Sequence, residues 1–406
     1  MGVNLYEEKV STLVEDAMMC GKAGGVISSV PVLHATPGAF VTHSNYRKNT
    51  LQLQNGFKEV NPTFAAGGCI SRYQPSDEHK QMMIDGALSN EWTFLATNPN
   101  ITAEDFYAPI QDLDPDDDQH IMVCLGGEYT ESGQSNMPYR GLDSSYSQRW
   151  CSSGETDFDE DGKPVGVNVT TSDELCDHYT PEEVATIPKM AESVKQAINF
   201  LGKDDDGFFM MYEQGDIDWA AHADHMDDML GTMLDIDDGA KEIIDWIMAN
   251  GGWEKNALYV TADHDHYLTL SPHFPEAVAN FIIDGETHNM TPKNNSNKNP
   301  WSEAIKAEKH MDDSKSVTEH IAQFATWTPE DIEMVAHYWG TLGAGGNGWG
   351  SHSTRPIPVH YAGDDGCISG LESTGFRVLG KPVTGTAGMI DQMHLHACML
   401  KNLFGL

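Results

Sequence analysis

The sequence has few basic residues. Of its 406 residues, 24 are lysine or arginine and 62 are aspartate or glutamate, which gives a formal net charge of −38. A chain this acidic repels the phosphates of nucleic acids and anionic membrane surfaces at long range, and it attracts divalent cations. We therefore expect no nucleic-acid partner.

Long apolar runs are also missing. No stretch approaches the roughly 20 residues that cross a bilayer as a helix, so no membrane span is predicted in this chain. The first residues, MGVNLYEEKV, have neither the basic start nor the apolar core of an export signal. Four acceptor patterns for asparagine-linked sugar are nevertheless typical of an exported protein, at Asn100, Asn168, Asn289 and Asn294.

Cysteine motifs are absent as well. The seven cysteines are odd in number and contain no CxxC pair, which excludes a zinc ribbon and a thioredoxin-like motif. One or two disulfides remain open, with Cys151 and Cys176 as one pairing.

What the chain does contain is an alternation of short apolar runs with helical patterns, typical of a mostly parallel sheet covered by helices. We predict an α/β fold with strands near 24–30, 120–127, 207–213, 256–264 and 357–363, buried on both faces. Apolar residues from Met229 to Ile247 recur at spacings of three and four, so they predict a helix with a methionine-filled core face. A second helix is predicted from about Pro188 to Leu201, with Thr186 as its cap and Gly202 as its stop.

Two stretches poor in pattern, about 128–180 and 268–349, are interpreted as insertions on the loop side of a single domain spanning 1–406. Within the first, DFDEDG at 157–162 is similar to half of a calcium loop, but position twelve would be Asn168 in place of glutamate. A solvated turn is the alternative.

Ligand-type side chains follow two of the predicted strands. Glu213 ends one apolar run, and Asp263 with His264 end another, at the sheet edge where α/β folds build their sites. Asp218 and His222 are four residues apart and would share one helical face. Each residue alone could be an ion-paired or surface side chain. Together they favour a divalent cation site, because carboxylates after apolar runs are costly unless paired or metal-bound.

Four blocks then carry a family resemblance. GKAGGVISSVPVLHATPGAF (21–40), YEQGDIDWAAHADH (212–225), YVTADHDH (259–266) and GSHSTRPIPV (350–359) resemble, in order and spacing, those of the alkaline phosphatase family. The resemblance implies a three-layer sandwich with a mostly parallel central sheet, two zinc ions and one magnesium ion. It also implies a phosphomonoester substrate, a homodimer, and an extracellular, secretory or periplasmic location.

The resemblance assigns site residues as follows. The first zinc would take Asp218, His222 and His352, and the second Asp263 and His264, with His266 orienting a ligand carboxylate. Magnesium would take Glu213 and Thr36, with His34 near its water shell. Arg47, thirteen residues after His34, would bind phosphate through its planar fork.

Two blocks of the family pattern are not found. One is a glycine-rich turn with a metal-bridging aspartate, and the other is an Asp-Ser-Ala segment with the nucleophilic serine; both would precede residue 1. LDSSYS (142–147) lies in the wrong order, so Ser144 is not assigned as the nucleophile. Either the sequence begins at an internal methionine, which we favour, or the protein has lost the nucleophile.

The sequence thus predicts a metal-dependent phosphomonoesterase. Two alternatives stay open: a phosphodiesterase or sulfatase on the same scaffold, and a non-catalytic secreted protein that binds metal or phosphate.

Overall fold

In the part of the chain that the structure describes, the main sheet has five parallel strands. The computed structural model describes residues 1–4, 6–47, 49–68, 92–97, 100–125, 156–158, 164–167, 181–222, 226–266, 352, 356–363, 366–374, 376–378, 381–383 and 390–405. Its strands are β1 (Ala23–Pro31), β2 (Phe64–Gly68), β3 (Trp92–Ala96), β4 (His120–Cys124), β5 (Thr156–Phe158), β6 (Pro164–Val167), β7 (Phe208–Glu213), β8 (Leu258–Val260), β9 (His360–Ala362), β10 (Phe376–Val378) and β11 (Lys381–Val383). The sheet order is β3-β4-β2-β1-β7, and every neighbouring pair is parallel.

Helices cover both faces of this sheet. They are α1 (Leu13–Met19), α2 (Ala35–Val41), α3 (Thr50–Val60), α4 (Pro181–Val184), α5 (Met190–Leu201), α6 (Asp216–His222), α7 (Met226–Ala249), α8 (Cys367–Thr374) and α9 (Gln392–Phe404). Short 3-10 turns lie at Ala108–Ile110, Pro115–Asp117 and Gly252–Glu254. Among the described residues, no helix is both long and apolar enough to cross a membrane.

The two faces of the sheet divide the strand residues by their period of two. Ile27 of β1 packs in one core with residues of α5 and α7, whereas its neighbour Val26 packs in another with residues of α1, α2 and α3. The same alternation separates Ile121 from Met122 on β4. The sheet therefore lies between two helical layers, and the predicted α/β class is confirmed.

Two predicted strands differ from expectation. The runs at 256–264 and 357–363 form only the three-residue strands β8 and β9, which pair antiparallel with each other. Val260 and His360 are exposed, so this pair is not buried on both faces as predicted. The reason is that polar residues follow Val260 at once, leaving too few apolar side chains for a central strand.

Both predicted helices are present, with corrections. Met233 of α7 is 46% exposed, so it does not fill the core as predicted, whereas Ile243 and Ile247 are buried. Helix α5 begins two residues after Pro188, with Lys189 in place of Thr186 as its N-cap, and it ends at Gly202 as predicted. The helix begins later because the backbone of Lys189 is extended (φ −67°, ψ 155°), so the first helical residue is Met190.

The C-terminal helices are joined covalently. Cys367 at the start of α8 and Cys398 in α9 form a disulfide with a Cα–Cα distance of 5.8 Å. The sequence did not single out this pair. The pairing of Cys151 with Cys176, the loop at 159–162, the pattern-poor stretches at 128–155 and 268–349, and Ser144 lie outside the described residues. The single-domain prediction stays a prediction.

Candidate metal centre

The site begins where β1 and β7 run side by side. Their parallel register places Ser28 opposite Glu213, the last residue of β7. The Ser28 hydroxyl donates to the Glu213 carboxylate. A turn of two residues then leads to α6, which carries Asp218. The carboxyl end of the sheet therefore presents Glu213 and Asp218 together, as expected for an α/β fold.

Glu213 has a strongly perturbed environment. Burial is the largest cause of the increase in its pKa from 4.5 to about 7, and the nearby charges of Asp263 and Asp216 contribute to that increase. Hydrogen bonds from the Ser28 and Thr36 hydroxyls partly offset this increase in pKa. The structure thus brings Thr36 to Glu213, the two residues predicted to share one cation. A cation bound there would stabilise the ionised carboxylate that burial disfavours.

Four side chains converge at the start of α6. The ligand atoms of Asp218, His264, His266 and His352 all lie within 4.8 Å of one another. Three Nε2 atoms face the same Oδ1 of Asp218, at 2.7 Å from His266, 3.2 Å from His352 and 3.7 Å from His264. The backbones of His266 and His352 form an antiparallel bridge that holds the two distant segments together.

The chemistry of this cluster fits a divalent cation. The rings of His264 and His352 are stacked with centroids 3.4 Å apart, which brings two imidazole ligands to the same place as the Asp218 carboxylate. Nδ1 of His264 is buried, and it has no hydrogen-bond partner among the described residues. Three imidazoles and a carboxylate form a donor set that suits zinc.

The remaining predicted ligands lie next to the cluster in the chain. Asp263 is exposed, and its Oδ2 lies 3.3 Å from Nε2 of His264. His222 is the last residue of α6, four residues after Asp218. Its participation in the cluster stays a prediction.

The predicted phosphate-binding arginine reaches the site through a histidine. Nη2 of Arg47 lies 3.2 Å from Nε2 of His34. The His34 ring in turn lies edge-on to Trp219 at a centroid distance of 5.3 Å, and Trp219 follows Asp218 in α6. Arg47 is exposed, so its guanidinium is accessible to a ligand from solvent.

Sequence reasoning missed the polar side chains that lie behind the ligands. Buried hydrogen bonds join these residues, which are Ser29, Gln214, Asp216 and Asp235. A signal was available in Ser28 and Ser29, two adjacent hydroxyls inside an otherwise apolar strand. Polar side chains in a buried strand need partners.

The sequence matches a known protein family. The model of the alkaline phosphatase family matches residues 1–68 and 160–332, more than half of the chain. The chain belongs to the alkaline phosphatase family. This confirms the family predicted from the four sequence blocks.

Individual relatives are distant. The chain is 25% identical to alkaline phosphatase of Escherichia coli K12 over 277 residues, which cover 66% of this chain and 54% of that protein. It is also 25% identical to alkaline phosphatase 3 of Bacillus subtilis over 258 residues, 63% of this chain and 43% of that protein. The chain thus spans about half the length of these relatives. The crystal structure of Thermus thermophilus alkaline phosphatase matches all of this chain and 76% of its own, with a TM-score of 0.53 and 16% identity, which supports the fold.

Proposed function

We propose that this chain carries the metal centre of a phosphomonoesterase that releases phosphate from small phosphate esters. The convergence of Asp218, His264, His266 and His352 on one point is the observation that carries this proposal. Membership of the alkaline phosphatase family supports the same reaction class.

Zinc is proposed for the imidazole-rich part of the site and magnesium for the oxygen-rich part. The first zinc takes Asp218, His222 and His352, and the second takes Asp263 and His264. His266 orients Asp218, in keeping with its 2.7 Å contact to that carboxylate. Magnesium takes Glu213 and Thr36, whose oxygens contact each other and suit a hard cation. The ring of His34 would lie near the water shell of a bound magnesium ion.

The chain's own residues have separate tasks in this proposal. When bound, the cations supply charge that stabilises the attacking and leaving oxygens of an in-line phosphoryl displacement. Arg47 binds two phosphate oxygens through its planar guanidinium, and its contact with His34 sets the position of that group. Burial raises the pKa of Glu213 to about 7, so a bound cation would favour its ionised form. No serine of the described residues is assigned as the nucleophile.

The protein is proposed to act in an oxidising compartment, extracellular or periplasmic. The disulfide between Cys367 and Cys398 supports this location, because such bonds persist mainly outside reducing compartments. A homodimer is proposed from the family resemblance, and sedimentation of the purified protein would test it.

The test compares the wild-type chain with His264→Ala and, as the matched control, with His396→Ala, an exposed histidine of α9. Zinc affinity is measured by competition with a chromogenic chelator. We expect His264→Ala to weaken zinc binding by more than about tenfold and His396→Ala to leave it unchanged. Equal affinity of His264→Ala and the wild type would refute the metal assignment.

A substrate panel then separates the reaction classes. An aryl phosphate, a bis-aryl phosphate and an aryl sulfate are offered to the zinc- and magnesium-loaded protein, expressed together with any in-frame coding sequence upstream of residue 1. Preference for the aryl phosphate is the expected result, whereas preference for either other ester would replace the proposal with a phosphodiesterase or sulfatase. Binding of zinc and inorganic phosphate without turnover of any ester would establish the non-catalytic alternative.

A further inference from the structure

A chain of buried polar side chains lies directly behind the metal-ligand loop. Ser29, Gln214, Asp216 and Asp235 are exposed by 1%, 4%, 0% and 0%, respectively. Polar groups this deep in a protein are unfavourable unless hydrogen-bonded, and they restrict the geometry of whatever they bond. Gln214 and Asp216 lie inside the turn between Glu213 and Asp218.

Gln214 uses both ends of its side-chain amide. Its Nε2 donates to Oδ2 of Asp235 on α7 at 2.6 Å. Its Oε1 accepts from the Asp216 backbone N–H at 3.1 Å and from the Ser29 hydroxyl. A side-chain amide offers a donor at one end and an acceptor at the other, so these contacts fix the orientation of the group.

The other side of the loop is attached to β1. The Gly215 N–H donates to the Ser29 hydroxyl oxygen at 3.0 Å, and this oxygen lies 2.6 Å from Oδ2 of Asp216. Gly215 is also pressed against β1, since a Cβ atom there would come within 2.7 Å of Val30. The loop is therefore held between β1 and α7, with Gln214 as the link to the helix.

We infer that Gln214 is a positioning residue that sets the relative placement of Glu213 and Asp218. It precedes the turn that separates the two carboxylates, and a rotation of the peptides at 214–216 would move one carboxylate away from the other. Asp235 reaches this turn from a different element, so α7 holds the ligands in place without contacting the cation. This inference rests on the proposed function.

The test exchanges the two partners of the hydrogen bond. Gln214→Glu removes the donor and places two carboxylates against each other in the interior, where like charges repel strongly. The double variant Gln214→Glu with Asp235→Asn restores one amide and one carboxylate with their roles reversed and the charge unchanged. Gln111→Glu is the matched control, because Gln111 is exposed and lies outside the site.

Two quantities are measured: zinc affinity by chelator competition, and hydrogen exchange of the Gly215 and Asp216 amides in metal-free protein. We expect Gln214→Glu to weaken zinc binding on the order of 10- to 100-fold and to accelerate exchange at both amides. The double variant should recover most of both losses, and Gln111→Glu should match the wild type. Ser29→Ala, which removes the acceptor of the Gly215 amide, should shift both quantities in the same direction as Gln214→Glu.

The inference is overturned if Gln214→Glu binds zinc like the wild type, or if the double variant is no better than the single one. Should the single variant fail to fold, unchanged zinc affinity in Ser29→Ala would overturn the inference. His264→Ala distinguishes failure of this inference from failure of the proposed metal site. If His264→Ala loses zinc and Gln214→Glu does not, only this inference falls; if His264→Ala retains zinc, the proposed metal site and this inference fall together.

Discussion

Replacing Glu213 with glutamine should stabilise the metal-free protein at alkaline pH. In the metal-loaded protein the same replacement should be destabilising. In the metal-free protein, burial raises the pKa of Glu213 from 4.5 to about 7. A carboxyl group with a raised folded-state pKa contributes its full stability below pH 4.5, where both states are protonated. That contribution is lost as the pH rises through about 7, because folding then requires a buried charge.

The size of the effect follows from the two pKa values. The difference between 4.5 and about 7 corresponds to about 3 kcal/mol at pH 8, since one pKa unit is equivalent to 1.36 kcal/mol. Glutamine resembles the protonated acid in shape and keeps an oxygen that can accept from the Ser28 hydroxyl. The stability of metal-free Glu213→Gln relative to the wild type should therefore increase by about 3 kcal/mol between pH 4 and pH 8.

The assay is urea unfolding of both proteins at several pH values with a chelator present, followed by the same series with magnesium and zinc. Comparing variant with wild type at each pH removes the contribution of every other titrating group. With metal at pH 8 the wild type should be more stable than Glu213→Gln, because the ionised carboxylate binds the cation and glutamine binds it poorly. A stability difference independent of pH in the metal-free proteins would refute the reasoning.

Two further predictions concern phosphate and packing. Arg47→Lys should lower the affinity for inorganic phosphate about tenfold, because the loss of one bidentate contact to a charged group removes about 1.5 kcal/mol. Calorimetry on the metal-loaded protein would measure this affinity, with Lys255→Ala, a change of an exposed residue, as the control. Gly239→Val should lower the free energy of unfolding by about 1–3 kcal/mol, because a Cβ atom at residue 239 comes within 2.5 Å of the Tyr212 hydroxyl. An unchanged midpoint of thermal unfolding would contradict this close approach of α7 to β7.

Much of the central sheet could be predicted because its strands are long and apolar. The run at 24–30 lies within β1, whose nine residues are all buried, and such runs leave few alternatives to a central strand. β8 and β9 could not be placed in the same way. Each has three residues, and the pairing of short strands depends on tertiary contacts more than on the local pattern.

The candidate site was predictable in its parts and not in its assembly. Asp218, His264 and His352 stand in blocks that resemble a known family, so their residue types indicated metal binding. That His264, His266 and His352 all contact one oxygen of Asp218 could be seen only in the tertiary structure. Asp235 was out of reach, because an aspartate within the acidic stretch DIDDG of α7 has the pattern of a solvent-facing residue and is fully buried.

The contact between Asp218 and His352 also determines when the site can form. These residues are 134 positions apart, so the contact cannot form until both α6 and the segment that carries His352 are present. Closing a loop of this length is entropically costly and slows the contacts that depend on it. On the ribosome, His352 emerges after the five described strands of the main sheet have been synthesised, so the metal centre is completed after them. Zinc capture is therefore expected to report the end of folding, and a chain that stalls earlier would carry a sheet without a finished binding site.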